Sequence, residues 1–549
     1  MMKTKSSLKS RRHFLKTVAG LGTLGAMGSI GQFAFPRHAI ADAPPFSDYK
    51  ALVCIFLYGG NDSFNMFVPG STHANYASLR GTLGVSNTDL DLTTIAGGTD
   101  LNNGNLGLGS LNPYNVDLTQ ETAYTKGLYP LSGSNGIDLG VNGVMPELAQ
   151  LITDNKANVI ANVGTLVNPV TRQEIQAKTA NLPLFLFAHN HQQRALQTGQ
   201  ADNLNDVGWA GRIADNWTGV NGNSTLGLNL SYAGNDRMMI GNDTTPLVLK
   251  PSTPPVYTGM KLAHNNAHDD RRALFKALAE IEGSGPNATF DATNTFSTTD
   301  PFMDLYSRMQ AKSMDTFDAL YNTWVNNPAN YTSTGPYGEP LFSVPSNSDL
   351  GFTDNIKGSL IGQLGAVANM IDLTANNVGS LSGFNRQIFF VQLGGFDTHS
   401  SQLINHPLLL RELSLALWKF QKALEEKGHA NKVTTFTMSD FGRTVSNNGS
   451  GTDHAWGAHH IVMGGDGLGA AGSLNGGRML GSLPDLSLGS ADDYSGKGRI
   501  IPTLAQDQLN ATLCSWFGVD TTLMPNIFPN LVNFQTGAGI ESAYLDLFA

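Results

Sequence analysis

The sequence predicts an α/β protein with a mainly parallel sheet covered by helices on both faces. Three observations carry this. Apolar runs of strand length recur along the 549 residues at Ala51–Tyr58, Asn158–Leu166, Gln387–Leu393, Val433–Met438 and His460–Met463. Stretches with helical apolar spacing, Asp354–Leu373, Pro407–Lys427 and Leu504–Phe517, lie between and after them. The first run, Ala51–Tyr58 (ALVCIFLY), is apolar throughout rather than alternating, as expected of a strand buried on both faces.

The first element in the chain is an address. Ser10-Arg11-Arg12-His13-Phe14-Leu15-Lys16 is a twin-arginine pattern, followed by a weakly apolar Gly/Ala-rich segment from Thr17 to Phe35. Ala39-Ile40-Ala41 then supplies a small-residue cleavage site. Residues 1–41 are therefore expected to be a cleaved signal, with translocation by the Tat translocase to the periplasm or beyond and no stable membrane insertion afterwards. Residues 42–549 are expected to form one α/β domain. It carries a loop-rich insertion near 71–145, where Gly, Asn and Thr dominate. A second insertion near 255–350 holds helical segments around His268–Glu282 and Pro301–Trp324.

Composition excludes several classes. Only 14% of residues are charged, against about 25% in ordinary soluble domains, and 61 glycines follow no triplet period. Collagen, coiled coils and polytopic membrane proteins are excluded. Residues 1–41 hold seven of the 34 Lys and Arg and no acid, so the remainder sets 27 basic against 44 acidic residues, a net charge of −17. Such a surface repels nucleic acid, and an anionic substrate needs a locally positive site, most simply a bound cation. Two cysteines, Cys54 and Cys514, exclude a disulfide framework and leave open whether they pair.

Chemistry is concentrated where strands end. The first runs into Gly59-Gly60-Asn61-Asp62-Ser63, the third into Gly394-Gly395-Phe396-Asp397-Thr398-His399, and the fourth into Ser439-Asp440-Phe441-Gly442-Arg443. Gly451-Thr452-Asp453-His454 precedes the fifth. Ligands of open parallel sheets bind beyond the carboxyl ends of the strands. Asp62, Asp397, His399, Asp440 and His454 are thus candidate ligands of one or two divalent ions, Zn, Mn, Mg or Ca. Several carboxylates in one crevice need such compensation to stay ionised together. An Asp in this place also serves as a helix N-cap or turn former. Arg443 could clamp an anionic oxygen or form a structural ion pair, and Ser63 is a hydroxyl beside a candidate ligand.

These motifs, taken in order (LVCIFLYGGNDSFN, FVQLGGFDTH, TMSDFGRT, GTDHAWG and the late RIIPT with DQLNATLCSWFGV), resemble the exported domain-of-unknown-function family fifteen-oh-one. That family is grouped with the alkaline phosphatase/sulfatase superfamily. The resemblance spans essentially all of residues 42–549 and implies an alkaline-phosphatase-like fold. It implies that Asp62 and Asp440 serve one metal, and Asp397, His399 and His454 a second. The sequence departs from the superfamily in placing Phe441 after Asp440 and in spacing Asp397 and His399 two apart, which points to a single-metal site as an alternative. Relatives often carry a Ser-His pair where Ala188 and His189 stand here. His189 and Gln193 remain and His191 is added, so this segment is expected to face the site as ligand or acid/base.

The function expected is an exported metal-dependent hydrolase of phosphate or sulfate esters, on a small-molecule or glycan substrate, with His189, Arg443 and Ser63 as catalytic candidates. The alternative is a catalytically silent, metal-stabilised binding protein for an anionic glycan or a protein partner.

Overall fold

The computed structural model describes residues 46–85, 90–91, 124–125, 127–131, 137–217, 219–221, 226–251, 260, 266–280 and 301–549. The signal segment and most of the 71–145 insertion lie outside them. Among the described residues one sheet of nine strands organises the chain. In chain order these are β1 Lys50–Tyr58, β2 Ala157–Gly164, β3 Asn229–Ser231, β4 Leu247–Val248, β5 Arg386–Gly394, β6 Val433–Ser439, β7 Ala458–Gly464, β8 Met479–Leu480 and β9 Leu504–Ala505. Their spatial order is β8-β2-β7-β6-β1-β5-β3-β4, with β9 also on β2. β1 sits at the centre, parallel to both β5 and β6. β7 runs antiparallel to β6 and β2, so the sheet is mixed but mostly parallel.

The helices used below are α1 His73–Arg80, α2 Pro146–Thr153, α3 His189–Thr198, α4 Trp209–Asn216, α5 Asn266–Glu280, α6 Pro301–Asn326, α7 Ser359–Ala375, α8 Gln402–Glu426 and α9 Gln506–Phe517. Alternation along β1 shows how they cover the sheet. Ala51, Val53, Ile55 and Leu57 pack with Leu148 of α2, Leu360 of α7 and Leu413 of α8. Leu52, Cys54 and Phe56 face the other way, into Ile213 of α4 and Leu509 of α9. Both faces are thus buried, which is why β1 reads as an unbroken apolar run. Cys54 and Cys514 are buried free thiols in the second of these cores.

The five predicted strands are present, and the structure adds β3, β4, β8 and β9, each two or three residues long and too short to show a period. The helix expected from Pro407 begins five residues earlier, at Gln402. Its first turn is pinned by tertiary bonds: Gln402 Nε2 donates to Asp62 Oδ2 at 2.5 Å, and His406 sits between Asn61 Oδ1 at 2.9 Å and the Tyr124 hydroxyl at 2.7 Å. Proline marks helix starts, but here the bonds before it extend the helix. α5 and α6 occupy the two helical segments expected in the second insertion.

Candidate metal centre

The site begins with two glycines. Gly59 and Gly395 follow the neighbouring parallel strands β1 and β5, and both have φ +116°, a conformation that side chains disfavour. A Cβ on Gly59 would lie 2.3 Å from the backbone nitrogen of Asp397, so only glycine allows the two turns to meet. This meeting sets Asp397 at the mouth of the crevice. β6 runs directly into Asp440, which is buried. After β6, a two-stranded ribbon of Arg443–Asn447 and Thr452–His454 pairs Arg443 directly with His454. α3 brings His189 from more than 200 residues away in sequence.

The hydrogen bonds decide what each imidazole offers. His189 Nδ1 lies 2.6 Å from Asp440 Oδ2, and His454 Nδ1 lies 2.8 Å from the Phe187 carbonyl oxygen. Both partners are acceptors, so each ring donates from Nδ1 and in its neutral form keeps its lone pair on Nε2. Both Nε2 atoms are buried with no hydrogen-bond partner. They lie 3.4 Å (His189) and 3.5 Å (His454) from Asp397 Oδ1, and the three donor atoms fall within 4.8 Å of one another. Four ligands at about 2.1 Å from a tetrahedral ion are separated by about 3.4 Å. The residues therefore fit a divalent cation held by His189, Asp397 and His454. Asp397 is half exposed, leaving a side open to solvent.

Second contacts complete the arrangement. Asp440 Oδ2 also accepts from Gln193 Nε2 at 2.9 Å and from the Gly59 N–H at 3.3 Å. Its hydrogen bond raises the pKa of His189, a carboxylate–imidazole pair of the kind that orients metal-binding histidines. Burial lowers that of His454. Burial pushes Asp397 upward, but its ion pair with Arg443 prevails and holds the carboxyl at about 2.

Of the residues singled out from sequence, the structure brings His189, Asp397, His399, Asp440, Arg443 and His454 together. His399 Nδ1 is 2.8 Å from Asp397 Oδ1, and its ring centroid is 4.6 Å from that of His454. Arg443 is wholly buried. It donates to Asp397 Oδ1 and to the carbonyls of Gly59, Gly60 and Thr452, which orients Asp397 and leaves no free fork for a substrate anion. Asp62 is not in the cluster. Both its oxygens are taken by the Arg80 guanidinium, with both side chains fully buried, and Gln402 adds a third donor. Ser63 is buried as well, its hydroxyl accepting the His459 N–H at 2.8 Å. Ala188 is the N-cap of α3. Sequence reasoning did not reach Phe187, whose contribution is a carbonyl oxygen common to every residue, or Arg80, which lies in a stretch read as loops.

Fold and site together define an α/β protein with a candidate two-histidine, one-carboxylate metal centre beyond the carboxyl ends of a mostly parallel sheet. Residues 379–524 match the family described as "Protein of unknown function (DUF1501)". The matched stretch carries Asp397, His399, Asp440, Arg443 and His454, while His189 comes from outside it. Among curated proteins, none matches the chain.

Proposed function

We propose that the chain is an exported, metal-dependent hydrolase of phosphate or sulfate esters with one ion per chain. The carrying observation is the pair of buried, unpartnered Nε2 atoms that face Asp397 Oδ1 at tetrahedral ligand separations. The resemblance to the alkaline phosphatase/sulfatase superfamily supports the substrate class. A single ion is favoured because Asp62 is neutralised by Arg80 instead. A cation held at this site would supply Lewis acidity to the ester oxygen and to an attacking water.

The chain's own groups then have defined tasks. His189 and His454 present neutral Nε2 lone pairs, with Asp440 and the Phe187 carbonyl holding the proton on each Nδ1. Arg443 keeps Asp397 ionised and aimed. His399, the most exposed imidazole of the group, is placed to give a proton to the departing alkoxide. With Ala188 at the cap of α3 and the Ser63 hydroxyl committed to backbone, water is the attacking group.

The test is elemental analysis of the purified protein with a phosphatase and sulfatase screen, repeated on His189→Ala and His454→Ala. The proposal expects close to one ion per chain, loss of the ion in both variants, and turnover that disappears on chelation. No ion after reconstitution would overturn it. Ala188 also favours a second reading, a silent metal-stabilised protein that binds an anionic glycan or a protein partner; an ion without turnover on any ester would select it.

A further inference from the structure

We infer that Phe187, Arg499 and Tyr494 form a clamp that positions His454 for metal binding; this rests on the metal-centre reading above. His454 ends a strand of three residues, and its ring packs on those of His189, His399 and Phe441 with centroids 4.3, 4.6 and 4.6 Å away. Here it is held from two sides by segments far away in sequence.

On the first side, Phe187 adopts φ +72° and Phe185 φ +50°, left-handed conformations that bulky side chains rarely take. The turn they make aims the Phe187 carbonyl at His454 Nδ1, 2.8 Å away. Strain of this kind persists only where surrounding contacts enforce it. The enforcing contacts fall on the ring of Phe187. The Arg499 guanidinium lies over it, 4.5 Å from the centroid, and Tyr494 meets it edge-on at 5.3 Å.

On the second side, the same Arg499 donates from Nε to the main-chain carbonyl of His454 at 2.9 Å. One guanidinium thus grips the backbone of His454 and covers the residue whose carbonyl grips its ring. The loop bearing Arg499 is itself fixed. Asp493 accepts the backbone N–H groups of Gly489, Ser495, Gly498 and Arg499, and Tyr494 N–H donates to the Arg499 carbonyl at 2.8 Å. The result sets the tautomer of His454 and turns its Nε2 toward Asp397. Phe187 and Arg499 touch no reacting atom; they act through His454 as positioning residues.

The test measures Zn²⁺ affinity of the purified protein against a competing chelator, with thermal melting of each metal-free variant. Phe187→Ala and Arg499→Met are each expected to weaken Zn²⁺ binding by about 10- to 100-fold, the usual effect of losing an outer contact to a metal-ligating histidine. Phe187→Tyr, which keeps the ring face, is expected to bind as the parent does. Phe185→Ala is the control: it shares the strained turn but packs on His191, at 4.2 Å, and is expected to leave affinity unchanged. Unchanged affinity in folded Phe187→Ala and Arg499→Met, with the parent still binding Zn²⁺, overturns the clamp and spares the metal centre. An equal loss in Phe185→Ala also overturns it, since general loosening of the turn then explains the effect. A parent that binds no divalent ion overturns both.

Discussion

Asp62→Asn separates a structural role from a ligand role at the residue where sequence and structure differ most. Asp62 and Arg80 have no solvent exposure, and the guanidinium meets both carboxylate oxygens, with Nη2–Oδ1 at 2.7 Å. Replacing the carboxylate with an amide leaves a buried guanidinium whose charge has lost its counterpart. Breaking such a pair on one side typically costs about 3–5 kcal/mol, a large part of the roughly 5–15 kcal/mol that holds a domain together. Urea unfolding is therefore expected to show a loss of that order. The double change Asp62→Leu with Arg80→Met is expected to recover most of it, because an apolar pair of similar volume carries no desolvation cost.

The pH dependence of that loss has a defined sign. Burial would raise the pKa of Asp62, but Arg80 outweighs it and the folded-state value lies below the ordinary 3.8. The pair thus contributes fully above about pH 4. Its contribution is lost as pH falls through the lowered value, and the gap between parent and variant closes there. Metal content, measured on the same samples, is expected to stay at one ion per chain. Loss of the ion with stability unchanged to within about 1 kcal/mol, less than any one-sided break of a buried pair, would refute the reasoning and return Asp62 to the ligand set.

Three further outcomes are expected. Asp440→Asn keeps the size of the side chain but removes the charge behind His189, and should weaken Zn²⁺ binding by about 10- to 100-fold in a chelator competition. Ala188→Ser places a hydroxyl at an N-cap already in extended backbone, φ −105° and ψ 117°, and should stabilise the fold by about 1 kcal/mol in urea unfolding. Asp507, with Oδ2 buried and unpartnered, has its pKa raised by burial from 3.8 to about 8. The folded state therefore favours the neutral form, and stability declines as pH rises from about 4 to about 8. Asp507→Asn should remove this decline, matching the parent near pH 4 and exceeding it at pH 8.5 in urea midpoint.

Much of the sheet was legible because burial on both faces leaves an unbroken apolar signature, as at Ala51–Tyr58 and Ile388–Val391. β3 and β8 left none, since two or three residues cannot establish a period and their pairing is supplied by neighbours. The start of α8 was hidden for a related reason: the residues that anchor it, Gln402 and His406, are polar, and the bonds that hold them run to Asp62, Asn61 and Tyr124.

The candidate site divides along the same line. Glycine and Asp after a strand are local facts, and sequence alone places Asp397, His399, Asp440 and His454 on turns at the ends of strands, with His189 in a segment expected to face them. Which of them share a centre depends on distances of a few ångströms, and these are decided by packing. The φ +116° turns at Gly59 and Gly395 let β1 and β5 present Asp397 to His189. Arg80, carried on α1, removes Asp62 from the set by neutralising it in a buried pair. Identical Asp side chains after neighbouring strands thus take opposite roles. The residue type fixes only that each can carry a negative charge, whereas the tertiary structure decides whether a guanidinium takes both oxygens, as Arg80 does at Asp62, or whether Asp397 keeps an exposed face beside two imidazoles while it pairs with Arg443.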